Sequence, residues 1–246
     1  MNDLEEPDLS KPSTIINGVR YYTKKVNKYN EGVELVVEKL ANLVGINCAH
    51  YGIIEKDGEK YYLSEEIKGF VNSEIFSAYK HSIEDILDYI NKTYPDQAVK
   101  ITDEIIRIFL FDILLLNGDR NSHNWGFANV DGNIEVWILD NELAFYGYEK
   151  AKLTFSENGY IIMLGINNKV ISQNITELLY LIDTSSEIYT DMLINMLDIL
   201  TPSAVSDIFK EVETSYYINI SNKEKLLNNY ITNYNIINDL VRGRIL

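Results

Sequence analysis

Asn117-Gly118-Asp119-Arg120-Asn121-Ser122-His123-Asn124 is a loop of acids and amides set between two very different neighbours. Upstream, Ile105, Ile106, Ile108, Phe109, Leu110, Ile113, Leu114 and Leu115 are apolar nearly all round, which predicts a buried core helix from about Ile101 that stops at Asn117-Gly118. Downstream, Trp125 to Val130 and Asn133 to Leu139 read as two short strands around the turn Asp131-Gly132. Pairing Val130 with Asn133 fixes a register in which paired residue numbers sum to 263. Asn124 then lies opposite Leu139, and His123 opposite Asp140. Cross-strand neighbours stand about 5 Å apart, so Asn124 and Asp140 project from one end of the hairpin. An amide oxygen and two carboxylates there, with Asp119 in the loop, suit a hard cation such as Mg²⁺. Singly, each has a plainer use, because Asp and Asn are the ordinary residues of turns and caps.

The order of elements is the stronger signal: core helix, Asp-Arg-x-x-x-Asn loop, short hairpin, apolar strand, then Asp140-Asn141-Glu142. It resembles the catalytic core of protein kinases, with a loop Asp, a metal-binding Asn five positions later and a second metal-binding Asp after a hairpin. More closely, residues 117–127 and Ile138-Leu139-Asp140-Asn141-Glu142-Leu143 resemble the HipA-like bacterial Ser/Thr kinases, a resemblance extending over roughly residues 10 to 240. It implies a two-lobed α+β fold with a small β-rich N-lobe, a larger helical C-lobe, and ATP- and Mg²⁺-dependent phosphoryl transfer to a protein hydroxyl. Asp119 is then the catalytic base, and Asn124 and Asp140 hold the metal.

The N-terminal third fits that order. Residues 1–14 read as a mobile arm, 15–67 as the N-lobe and 68–246 as the C-lobe. Asn17-Gly18 turns a first hairpin whose second strand, Val19 to Val26, carries Lys24 and Lys25. Val33, Val36, Val37, Leu40, Leu43 and Val44 recur at helical spacing, and Gly45 ends that helix. Ala49–Glu55 and Lys60–Ile67 read as a second hairpin around Asp57-Gly58. The resemblance makes Lys24 the phosphate-gripping lysine and Glu34 its helix partner, with Lys25 and Glu38 as the alternatives. It makes Glu65, Glu66 and Ile67 the hinge beside adenine, and puts Ser13 and Thr14 where a Gly-rich loop would cover the phosphates. No glycine precedes Gly18, and the metal motif is Asp-Asn-Glu rather than Asp-Phe-Gly. Beyond Ser172 the pattern is helical, with stripes through Leu178–Leu181, Met192–Leu200 and Leu226–Val241, and Pro202 dividing two helices.

Composition narrows the classes further. The 246 residues carry 37 acids against 22 Lys and Arg, a net charge of −15, and no basic stripe of the kind that binds nucleic acid. Cys48 is the single cysteine, which excludes an intrachain disulfide and, with no apolar leader or membrane-length apolar run, points to a cytoplasmic protein without a membrane partner. A protein substrate and an antitoxin partner are what the HipA resemblance implies. Gly118-Asp119 and Leu139-Asp140 also match aminoglycoside-type phosphotransferases, and a nucleotide-binding pseudokinase would keep the same shape. No Walker A or Gly-x-Ser-x-Gly motif occurs.

Overall fold

Asn17-Gly18, Asp57-Gly58 and Asp131-Gly132 all have positive φ at both positions, the conformation that closes a two-residue hairpin with the twist of its strands. The computed structural model describes residues 9, 11–27, 29, 31–73, 83–117, 120, 123–146, 151–155, 161–165 and 187–242. The first turn joins β1 (Ser13–Ile16) to β2 (Val19–Lys25), and the second joins β4 (Tyr51–Lys56) to β5 (Glu59–Glu65). These four strands form an antiparallel sheet in the order β1-β2-β5-β4. Between the hairpins run α1 (Val33–Leu43) and the two-residue β3 (Asn47–Cys48). As expected, Gly45 follows the helix with a φ of 69°.

The third turn joins β7 (Trp125–Val130) to β8 (Asn133–Ile138), paired in the predicted register from Val130–Asn133 to Trp125–Ile138. β6 (Val71–Asn72) adds to β7, and β3 pairs in parallel with β8, giving a second sheet in the order β3-β8-β7-β6. The sequence predicts that Ala49 opens the first strand of the second hairpin, which begins at Tyr51. The Ala49 N–H instead donates to the Ile138 carbonyl of the second sheet, because the chain crosses between sheets at residues 48–50.

Helices make up the rest: α2 (Ile83–Thr93), a 3₁₀ turn at Pro95–Gln97, α3 (Ala98–Leu115), α4 (Glu187–Ile199), α5 (Pro202–Tyr216) and α6 (Lys223–Val241). A further hairpin, β9 (Ala151–Phe155) with β10 (Ile161–Gly165), stands between β8 and α4. α3 buries twelve of its side chains, matching its all-round apolar pattern, and stops one residue early at Leu116, whose left-handed φ of 54° closes the helix. Pro202 begins α5 under a Thr201 cap that accepts from the Ala204 N–H. The stripe at Leu178–Leu181 lies outside the described residues. One hydrophobic core runs from α1 through α3 to α5 and α6. This mixed α+β architecture, a β-sheet N-terminal region followed by a mostly helical C-terminal part, is the one the sequence predicts. No single helix among the described residues is long and apolar enough to cross a membrane.

Candidate active site

Strand alternation sends Lys24 and Lys25 to opposite faces of the first sheet. Lys25 turns outward to Glu59 at 3.0 Å, while the Lys24 ammonium lies 2.6 Å from Asp140 Oδ1 and 3.0 Å from Glu142 Oε2. Burial pulls the Lys24 pKa down, but the hydrogen bonds and charges of Asp140 and Glu142 outweigh it and hold the amine above its ordinary value. Asp140 is presented by the end of the β7–β8 ladder. Leu139 donates to the Asn124 carbonyl at 2.9 Å, one pair beyond the strands, as the register requires. The chain then turns: Asp140 has a left-handed φ of 52°, and its N–H donates to the Tyr51 hydroxyl at 2.8 Å. A non-glycine residue held in that region is the kind of local strain found at functional sites.

Glu34 does not pair with Lys24, contrary to expectation. It is buried at the start of α1, where its Oε2 accepts the Asn141 N–H at 2.8 Å. Burial, and then the charge of Asp140, push its carboxyl up to about 8, against the opposing pull of Asn141 and Lys24. The lysine takes the two carboxylates that the Asp140 turn sets in front of it. Glu38, the alternative, is also engaged elsewhere, accepting the Tyr51 N–H at 2.9 Å and contacting His50 Nδ1 at 2.9 Å.

Behind this cluster lies a group that sequence reasoning did not single out. Arg120 is wholly buried, and its five N–H groups have five acceptors. Nε and Nη2 bind the two Asp112 oxygens at 2.8 and 2.9 Å, Nη2 also reaches Asn141 Oδ1 at 2.6 Å, and Nη1 reaches the carbonyls of Asn124 and Leu139 at 2.7 and 3.2 Å. Asn117 Nδ2 adds a bond to Asp112 Oδ1 at 2.9 Å. Asp112 was legible in principle: the only acid in the apolar stretch Ile105–Leu115 demands a buried partner. The Asn141 amide completes the wall with a 3.6 Å contact to Cys48 Sγ, whose thiol burial pushes well up, away from reactivity.

Asp119 lies outside the described residues. Both edges of its loop are nonetheless fixed, by Asn117 and Arg120 on Asp112. Asn124 is buried with its carbonyl on Arg120. In the segment expected as the hinge, the N–H groups of Glu65 and Glu66 are donated to the carbonyls of His50 and Arg20, and the Ile67 carbonyl accepts from Phe70, so Glu65 and Glu66 have no N–H to offer a base. Ser13 and Thr14 stand in β1 opposite Tyr22 and Tyr21 rather than in a loop over phosphates, because the Asn17-Gly18 turn draws them into the ladder. Among the described residues no three acid, His or Cys side chains converge as a ready metal cage. Asp140, half-buried at the end of the hairpin, and Asn124, nearby in the register, are the oxygen set that fits Mg²⁺, which takes one or two carboxylates and completes its shell with water and phosphate, while Glu142 stands beside them on the Lys24 ammonium.

No protein-family model and no curated protein sequence matches the chain. Solved structures do. The Helicobacter pylori proinflammatory kinase CtkA superposes with a TM-score of 0.63 over 97% of this chain and 95% of its own, at 15% identity. HipA from the Shewanella oneidensis toxin–antitoxin system, solved with HipB and operator DNA, superposes with a TM-score of 0.57 over 95% of this chain, at 13% identity. The chain shares the fold of both proteins. The likeness to CtkA is end to end, whereas the chain matches 59% of the HipA chain.

Proposed function

We propose that the protein is an ATP- and Mg²⁺-dependent kinase that phosphorylates a Ser or Thr hydroxyl of a protein. The observation that supports this best is the meeting of Lys24, from the small sheet, with Asp140 and Glu142, from the end of the β7–β8 hairpin, beside Asn124 and the Asp119 loop. In this reading Lys24 exchanges a carboxylate for phosphate oxygens, and Asn124 and Asp140 hold Mg²⁺. A metal held there would supply positive charge to offset that of the nucleotide phosphates. Asp119 orients the acceptor hydroxyl and takes its proton as the oxygen–phosphorus bond forms and the β–γ bridging bond breaks, releasing ADP. Phosphoryl transfer asks for position and charge rather than covalent help, and the saturated Arg120 cluster supplies a fixed wall for both. By analogy with the HipA neighbour, a cytoplasmic toxin role with an antitoxin-like protein partner is the finer form of this proposal.

Replacing Asp119 or Asp140 with Ala should lower transfer of labelled γ-phosphate, to the chain itself or to a lysate protein, by at least about 10³-fold, the scale of removing a charge-positioning group from a phosphoryl-transfer site. Retention of full transfer by either variant sinks the reading. Binding of MgATP with no transfer by the wild-type chain would instead leave a nucleotide-binding pseudokinase.

A further inference from the structure

We infer that Glu142, not the α1 carboxylate Glu34, is the positioning residue that keeps Lys24 in place when Asp140 is given over to the metal; the inference deepens the kinase reading and rests on it. Two observations carry it, together with the metal role that the kinase reading gives Asp140. Lys24 has two acid partners, Asp140 at 2.6 Å and Glu142 at 3.0 Å, two residues apart on the same turn. Asp140, by its place at the end of the hairpin, is the one assigned to Mg²⁺, so a bound metal and Lys24 compete for it. Glu34 is buried at the start of α1 and makes no ion pair with Lys24, so reaching the ammonium would mean moving the whole carboxylate and pulling its Oε2 off the Asn141 N–H it holds at 2.8 Å, leaving a buried donor without a partner.

Asp140 and Glu142 thus divide one task. In the free protein both neutralise the ammonium. With metal and nucleotide bound, Asp140 turns to the metal, and Glu142 remains as the anchor that aims the amine at the phosphates. Glu142 suits this role because it is anchored on the short turn that follows Asn141, whose side chain and N–H are fixed by Arg120 and Glu34. A lysine with one fixed carboxylate partner and two remaining donors can keep its geometry while donating to phosphate oxygens. The Asp-Asn-Glu motif is then a metal ligand, a wall residue and a lysine anchor in three consecutive positions.

The test has two arms, the first of which needs no nucleotide. Asp140→Asn mimics withdrawal of the first carboxylate, and the rate at which an amine-reactive reagent labels Lys24, read by peptide mass spectrometry, reports how firmly the second holds the amine. Adding Glu142→Gln to Asp140→Asn should raise that rate at least threefold, and by more than adding Glu34→Gln does; a smaller rise, or a larger one from Glu34→Gln, overturns the assignment. In the second arm, calorimetric titration with MgATP should give a Kd raised at least threefold in Glu142→Gln, partly restored by Glu142→Asp, with the melting temperature within about 2 °C of wild type. Unchanged affinity overturns the inference. Failure of the wild-type chain to bind MgATP overturns the kinase reading instead, while the labelling arm still decides which acid holds Lys24.

Discussion

Two cations meet the turn Asp140–Glu142 and are treated in opposite ways. Arg120 is sealed in the core, with every donor satisfied by Asp112, Asn141 and two carbonyls. Lys24 sits in a cleft with its side chain 42% exposed, facing Asp140 at 41% and Glu142 at 23%. Arg suits the first position, because a planar fork of five donors can be saturated by a rigid cage, and Lys suits the second, because a compact ammonium on a flexible stem can change partners. Asn141 joins the two, lying between Asp140 and Glu142 in sequence while its side chain belongs to the arginine. A site that must exchange ligands is built against a wall that must not.

Breaking the wall should have the largest effect. Arg120→Met leaves the buried Asp112 carboxylate without its partner and should cost about 3–5 kcal/mol of stability, measurable by urea denaturation. Arg120→Lys should restore little of it, since one ammonium cannot reach five acceptors on three segments. A loss below about 1 kcal/mol in either variant would mean that the cage is not the rigid half of the pair.

The next effect is smaller and depends on pH. The folded Glu34 carboxyl is raised from its ordinary 4.5 to about 8, so between those values the native state keeps a proton that the unfolded chain has released. Stability therefore falls as pH rises through this window, and the whole penalty is present above about 8. Glu34→Gln removes the titration and can keep the Asn141 bond, so its melting temperature should gain on wild type steadily from pH 5.5 to 8.5. A constant difference across that range would place the ionised carboxylate in a more favourable setting than its burial implies. Smallest of all, Lys25→Ala breaks an exposed pair with Glu59 and should shift stability by no more than about 0.5 kcal/mol, which separates it from its strand neighbour Lys24.

Much of this contrast could be read before the structure, and the part that could not has a physical reason. The three Asn-Gly and Asp-Gly turns set the hairpins, and the turn at Asp131-Gly132 sets the register that carries Asp140 past Asn124, because a two-residue loop leaves the pairing no freedom. Lys24 and Lys25 were separable only as alternatives, since alternation gives two faces and not which one meets the cleft. The partner of Glu34 was misjudged, because helix spacing locates the residue while the turn at Asp140 decides which groups come within reach. The two-residue parallel bridge of β3 with β8 has too little length to show a period. α2 and the β9–β10 hairpin went unread for a different reason, lying in stretches with no motif on which to hang a reading. The Arg120–Asp112 pair joins a helix to the loop after it, a contact that no periodicity predicts.

One element fixes how the cleft can move. On its sheet side α1 is tied by the Tyr62 hydroxyl accepting from Gly32 N–H at 2.6 Å, by Glu38 on Tyr51, and by the Lys60–Glu31 ion pair just before it. On the other side it is tied by Glu34 on Asn141 and by Lys39 to Glu211 of α5 at 2.8 Å. Gly32 is so close to Ile218 and Ile220 that a Cβ there would lie 2.8 Å from each. A helix fastened on both flanks is a strut, not a lever. It has no free swing of its own, so in the kinase reading the compliance that would admit a nucleotide falls to the β1–β2 ribbon, where Ile15 and Tyr22 face water.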